Sequence, residues 1–408
     1  MLPRTLAPHL RTLARGHPVL AVLGPRQSGK TTLCRKVFSK KPYASLEDPD
    51  IRQLALSDPR GFLSQYPDGA VLDEIQRVPE LASYLQGIVD ARKKPGQFVL
   101  TGSENFSLTQ GMSQSLAGRV ALVTLLPLSF EEAKRSKRAG GDLFSTLFTG
   151  GYPALYDREV TPTGWLANYV RTYVERDVRQ VLNVGDLLSF QTFFRLCAGH
   201  AGQLLNLSTL GASAGITHNT AKAWLSVLEA SYLVHRLPPW VANLNKRLVK
   251  TPKLHFFDTG LLCYLLGIRS KDELLTHPQR GAIFESWVVS EIYKAHANQG
   301  IEPRLSFFRD KTGTEVDLLV QAGSNLLAIE IKSGQTVAAD FFDALERFQT
   351  LLGTPSIAPF LVYGGSRSQA RTTVQVLAWS DLNKVDWMTG KPGAGARKKT
   401  RVRKNKTR

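Results

Sequence analysis

The octet Gly24, Pro25, Arg26, Gln27, Ser28, Gly29, Lys30, Thr31 constrains the fold more than any other stretch of this chain. It fits G-x-x-x-x-G-K-[ST] and sits between an apolar run, Val-Leu-Ala-Val-Leu at 19–23, and a helical pattern from Lys30 onward. Glycines at the ends of such a loop let backbone N–H groups wrap a phosphate, and the following helix adds the positive end of its dipole. That order demands a buried strand, a tight loop and a helix, the opening of an α/β layer. The octet and Thr32 form the expected nucleotide cradle. Within it Lys30 reaches the terminal phosphates and Thr31 offers its hydroxyl to Mg²⁺.

Two further apolar runs, at 70–72 and 97–101, read as buried parallel strands alternating with helices. The first ends in Asp73 and Glu74. Carboxylates at the tip of a buried strand gain no packing, so they point to chemistry. Asp73 is expected at the metal with Thr31, and Glu74 at the attacking water. The next run ends at Ser103, which reads, ahead of Thr101, as a γ-phosphate sensor, or else as a strand-end turn. Arginines offset charge that develops on a transferred phosphoryl group. Arg119, Arg171 and Arg176 are candidates, acting within the subunit or from a neighbour; exposed helix arginines are otherwise simply solvated.

Length and composition set the frame. At 408 residues the chain is expected to form two to four domains. It contains no run of eighteen apolar residues, so no membrane helix is expected, and the stretch from Met1 to Arg15 does not read as a secretion leader. Cys34, Cys197 and Cys263 are dispersed and read as reduced, buried thiols of a cytoplasmic protein. The net charge is +18, and half of it comes from the nine Lys and Arg between Lys391 and Arg408, where no acid occurs. A polyanion is the natural partner, and nucleic acid, here DNA by the motifs below, the commonest one.

The motifs taken in order resemble a family of AAA-type P-loop ATPases of bacteria and archaea that carry a C-terminal domain of uncharacterised function. The matching pieces are the phosphate loop, Leu-Asp-Glu-Ile-Gln, Leu-Thr-Gly-Ser, Leu-Ala-Gly-Arg, Gly-Gly-Tyr-Pro (150–153), Tyr-Val-Glu-Arg-Asp (173–177), Phe-Asp-Thr-Gly-Leu (257–261) and Gly-Ala-Ile-Phe-Glu (281–285). The resemblance implies an ATP- and Mg²⁺-dependent ATPase core, a winged helix, and a C-terminal domain similar to the PD-(D/E)XK nuclease fold.

The residues themselves read compatibly. Leu207 to Leu228 has the layout of a helix-turn-helix, with Gly215 at the turn and Thr217 capping the second helix. His218, Asn219 and Lys222 lie on that helix's polar side, and Lys246, Arg247 and Lys250 form the basic tip of a following hairpin. These are candidate DNA contacts, although such units also serve as protein-docking modules. Further on, Asp317 opens one strand and Glu330-x-Lys332 lies on the next, with Glu285 on a preceding helix. Carboxylates flanking a lysine in this way suit a metal-dependent nuclease site; they also occur as ordinary surface pairs.

The chain is therefore expected to be α/β: an ATPase core (1–143), a helical lid (144–203), a winged helix (204–260), a nuclease-like α/β domain (261–388) and a disordered basic tail (389–408). The expected function is an oligomeric ATPase that translocates on or remodels DNA. Alternatives are an ATP-gated nuclease and a nucleotide-controlled protein-interaction switch.

Overall fold

The chain is described here as a computed structural model covering residues 2–103, 115–174, 186–240, 250–353 and 357–393. Five short strands, β1 (Val19–Leu23), β2 (Tyr43–Ser45), β3 (Val71–Asp73), β4 (Phe98–Gly102) and β5 (Val120–Thr124), form a parallel sheet in the order β2-β3-β4-β1-β5. Every residue of β1, β3 and β4 is buried. Helices cover both faces of such a sheet, which is why these strands are continuously apolar rather than alternating.

Register determines what meets at the rim. Leu100 pairs with both Ala21 and Leu72, so β1, β3 and β4 end together. Asp73 at the end of β3, and Gly24 and Ser103 just past the ends of β1 and β4, share one edge of the sheet. The α/β architecture expected from the sequence is present, with a separate mixed sheet toward the C-terminus.

The middle of the chain is helical. Pro162–Tyr169 runs on into a wide turn at Val170–Val174; Arg176 lies outside the described residues. The helix Leu207–Ser213 is capped by Asn206, Gly215 turns the chain at φ 71°, and the helix His218–Ala230 is capped by Thr217, whose Oγ1 accepts from Thr220 N at 3.1 Å. Antiparallel strands β6 (Val234–Leu237) and β7 (Lys253–Phe256) follow.

The C-terminal sheet comprises β8 (Leu305–Arg309), β9 (Glu315–Ala322), β10 (Asn325–Lys332), β11 (Ile357–Tyr363), β12 (Gln369–Ala370) and β13 (Gln375–Ala378), in the order β12-β13-β11-β10-β9-β8. The long helix Arg280–Ala297 packs against both β10 and β7, joining this sheet to the hairpin. One continuous apolar core runs from Leu128 through the helical region to Trp387.

One boundary needs correcting. The basic tail does not begin at residue 389, because Lys391–Pro392 forms a strand (β15) paired with Val385–Asp386 (β14). Gly390 turns at φ 69°, and Gly393 N donates to Lys384 O at 2.7 Å. Backbone pairing orders this segment despite its lack of apolar side chains. Residues 394–408 lie outside the described residues. Among the described residues no helix is long and apolar enough to cross a membrane.

Candidate functional site

The phosphate loop begins where β1 leaves the sheet. Gly24 has φ 148°, and a Cβ there would lie 2.2 Å from the carbonyl oxygen of Leu125. Only glycine fits beside that neighbouring chain. Gln27 at φ 62° and Gly29 at φ 92° take left-handed conformations, which curl the loop over the start of the helix Lys30–Val37.

Lys30 is buried, and its Nζ donates to the carbonyls of Gly24 at 2.9 Å and Pro25 at 2.8 Å. Burial lowers its pKa to about 8, partly offset by Glu74 and Asp73. An ammonium held against the mouth of an N–H-lined loop is poised for an anion that would restore its basicity. Thr32 is exposed and the Cys34 thiol, pushed up to about 12 by burial, is inert. The three cysteines are free and buried, as expected from their spacing.

Asp73 ends β3 and is surrounded by hydroxyls. Thr31 Oγ1 donates to its carboxylate at 3.0 Å, Tyr43 Oη donates at 2.8 Å, and Thr101 Oγ1 completes the set. Burial, then Asp73 itself, raises the Tyr43 phenol and keeps it a donor. Neutral hydroxyls leave the carboxylate's charge uncancelled, so Thr31 and Asp73 together fit the hard oxygen donors that Mg²⁺ takes.

Glu74 follows at φ 56° and carries its carboxylate to Gln76 and, at 3.4 Å, to Ser103 Oγ. Gln76 also donates to Ser103 at 3.0 Å. Lys30, Thr31, Asp73, Glu74 and Ser103 are thus gathered at one rim, as their positions in sequence suggested.

Arg119 is not there, which corrects its expected role within the subunit. It precedes β5, whose first residue pairs with the first residue of β1. The opposite rim is five strand residues away, about 16 Å. Its guanidinium forms a bidentate pair with Asp90 at 2.5 and 2.9 Å. Arg171 is exposed in the wide turn that follows the helix Pro162–Tyr169.

Sequence reading missed Arg4. It is buried and donates to Ser28 O at 2.7 Å, to Leu126 O at 2.6 Å and to Glu132 at 3.1 Å, fastening the loop to the strand exit beyond β5. Tyr43, Gln76 and Asp258 were also missed, and Thr101, second to Ser103 as an expected sensor, instead bonds Asp73. Asp258 follows β7, caps the next helix through Leu261 N at 2.8 Å, and accepts from Gly151 N at 2.6 Å. It thereby holds the Gly-Gly-Tyr-Pro loop, whose Pro153 lies beside Gly29.

The C-terminal sheet gathers a second polar cluster. Glu285 comes from the helix Arg280–Ala297, Glu315 and Asp317 from β9, and Glu330 and Lys332 from β10. Asp317 Oδ2 accepts from Ile331 N at 2.8 Å, and Lys332 pairs with Glu330. Unforeseen from sequence, Lys253 of β7 reaches in from the hairpin, 2.9 Å from Glu285 and 2.5 Å from Glu315. Burial raises the carboxyls of Glu285, Asp317 and Glu330. Burial alone would lower Lys253, but Glu285, Asp317 and Glu315 outweigh it and leave it raised.

Among the described residues no three His, Cys, Asp or Glu side chains are arranged to hold a metal ion. The four expected nuclease residues do come to one end of the sheet, but Lys253 already pairs with Glu285 and Lys332 with Glu330, and Asp317 accepts a backbone N–H. As they stand they do not fit a divalent metal.

Of the expected DNA contacts, His218, Asn219 and Lys222 are exposed on the first two turns of their helix, and Lys250 is exposed beside β7. Lys246 and Arg247 lie outside the described residues.

Residues 16–134 match the AAA domain, residues 140–272 a domain of unknown function (DUF8612) and residues 280–382 another (DUF4143). Two uncharacterised proteins, from Mycobacterium tuberculosis and Mycobacterium bovis, are each 32% identical over 336 residues, covering 82% of this chain and 74% of theirs. Among solved structures, the Walker-type ATPase of Pyrococcus abyssi is similar at 16% identity and a TM-score of 0.41, over 64% of this chain and 94% of that one.

Proposed function

Because this chain belongs to one family with the two mycobacterial proteins and carries an AAA domain, we propose that it is an ATPase whose turnover acts on DNA. The observation that carries the ATPase reading is the contact of Thr31 with Asp73 at 3.0 Å, beside a buried Lys30 directed at the loop. A magnesium ion held by Thr31 and Asp73 would neutralise phosphate oxygens. The chain's own groups do the rest. Lys30 stabilises charge growing on the terminal phosphoryl group, and Glu74, oriented by Gln76 and Ser103, takes the proton of the attacking water.

The DNA reading is supported by the surplus of basic residues and by the exposed first turn of the helix His218–Ala230 at the end of a helix-turn-helix layout. On this reading residues 204–260 are a winged helix, and the nuclease-like sheet is a platform. Subunits assemble so that an arginine, Arg119, Arg171 or Arg176, completes a neighbour's site in a cytoplasmic oligomer.

The test is ATP hydrolysis measured at low salt with single-stranded, duplex, forked and four-way DNA. Turnover should rise with at least one form and fall steeply with salt, as phosphate contacts do. Turnover indifferent to every form sinks the DNA reading while leaving the ATPase intact.

A further inference from the structure

Lysines stand where a nuclease-like cluster would hold its metal. Lys253 Nζ bridges Glu285 at 2.9 Å and Glu315 at 2.5 Å, with its side chain 3% exposed. Glu330 is paired with Lys332, and Asp317 accepts a backbone N–H. Two buried atoms aimed into the cluster have no hydrogen-bond partner: Glu330 Oε2, and Nε2 of the fully buried His255, which stays 3.8 Å from Glu285. A separation of 3.8 Å is too long for a hydrogen bond. Two unpartnered ligand atoms therefore face the cluster, while Lys253, Lys332 and Arg309, which pairs with Glu315 at 3.2 Å, already offset three of its four carboxylate charges.

We propose that Lys253 is the resident cation of this cluster, so that the C-terminal carboxylates form an ammonium clasp on the β6–β7 hairpin, and that a divalent cation and the seated hairpin exclude one another. The physical reason is charge. Two unit charges a few ångströms apart inside a protein interact by several kcal/mol, and a divalent ion entering beside Lys253 would meet that repulsion at short range. Position adds a consequence. Lys253 and Asp258 stand at the two ends of one six-residue segment, and Asp258 holds the Gly150–Gly151 loop at the phosphate site. Seating the clasp fixes the strand that leads to the nucleotide.

This inference does not depend on the DNA reading, because its test uses neither DNA nor nucleotide. Mn²⁺ binding to the full chain is followed by the loss of the free-ion spin-resonance signal. Wild type should show no tight site at the cluster. Lys253→Met should gain one Mn²⁺ site at least tenfold tighter, and Lys253→Met/Asp317→Asn should lose it again. Lys253→Arg keeps the charge and should match wild type, which guards against a Met variant that fails to fold. Wild type binding Mn²⁺ in a manner abolished by Asp317→Asn would overturn the proposal. So would a folded Lys253→Met that gains no site, or Lys253→Arg that gains one.

Discussion

The two acidic sites of this molecule use the same residue types and reach opposite states. At the N-terminal rim Asp73 is satisfied by the hydroxyls of Thr31, Tyr43 and Thr101, while Lys30 is turned to backbone carbonyls. At the C-terminal sheet Glu285 and Glu315 share Lys253, Arg309 also reaches Glu315, and Glu330 pairs with Lys332, leaving Asp317 with a backbone N–H. A hydroxyl shell orients a carboxylate without discharging it, so a cation can still be drawn in. An ammonium shell discharges it. The first site is open to ligand and the second is closed by the chain itself.

The largest expected effect breaks the open site. Lys30→Ala should reduce kcat/KM for ATP by about 10²–10³-fold, or ~3–4 kcal/mol of transition-state stabilisation. The fold should persist, since Lys30 bonds only to two loop carbonyls. Steady-state ATPase assays with a thermal melt separate the two. Activity that survives Lys30→Ala would remove the distinction between the sites.

Next in size is the closed site's dependence on its lysine. Lys253→Met leaves Glu285 and Glu315 without their shared partner, and breaking a buried pair from one side costs roughly 3 kcal/mol or more. Chemical denaturation should show this loss, and Lys253→Met/Glu285→Gln should recover part of it. Equal stability of wild type and Lys253→Met would mean that the ammonium is not what holds the cluster.

Much of the open site was legible because its parts are contiguous. The octet at 24–31 fixes loop, lysine and hydroxyl by spacing, and Asp73-Glu74 announces itself by ending an apolar run. Tyr43 and Arg4 were not legible. Strand register brings Tyr43 of β2 to Asp73, and Arg4 reaches the loop from the irregular segment ahead of β1. Of the two settings open to Arg119, within the subunit or from a neighbour, sequence could not choose, because its motif follows β4 in the chain while β5 starts at the far rim. The closed site divides in the same way. Glu330-x-Lys332 is a local pattern, whereas Lys253 comes from a strand over fifty residues upstream of β9 and carries no motif.

The comparison extends to pH. Lys30 has a folded-state pKa lowered to about 8, chiefly by burial. A bound triphosphate favours the charged form and raises that value, so the complex holds a proton that the free protein begins to lose above pH 8. Nucleotide affinity should therefore be flat below pH 8 and weaken by up to about tenfold per unit above it. In the free protein the sign is the reverse for stability. Above pH 8 the unfolded chain binds the extra proton, so this group makes folding more favourable as pH rises toward the ordinary lysine value. Binding of a non-hydrolysable analogue between pH 7 and 9.5 measures the first trend. Lys30→Arg should flatten it.

The smallest expected effect probes the hydroxyl shell itself. Tyr43→Phe removes one donor from Asp73 and keeps the ring, which is stacked under Arg35 with the guanidinium carbon 4.5 Å from the ring centroid. Thr31 and Thr101 still bond the carboxylate, so Asp73 is not stranded and stability should change little. What weakens is orientation. A carboxylate held by two donors instead of three swings more freely, and placing it on the metal costs more on binding. The expected loss is about 1 kcal/mol, roughly fivefold in magnesium-dependent nucleotide affinity. Affinity measured without magnesium should not move, because the phosphate loop and Lys30 are untouched. If the loss is equal with and without the metal, Tyr43 shapes the loop rather than Asp73, and a poised carboxylate at the open site is the wrong description.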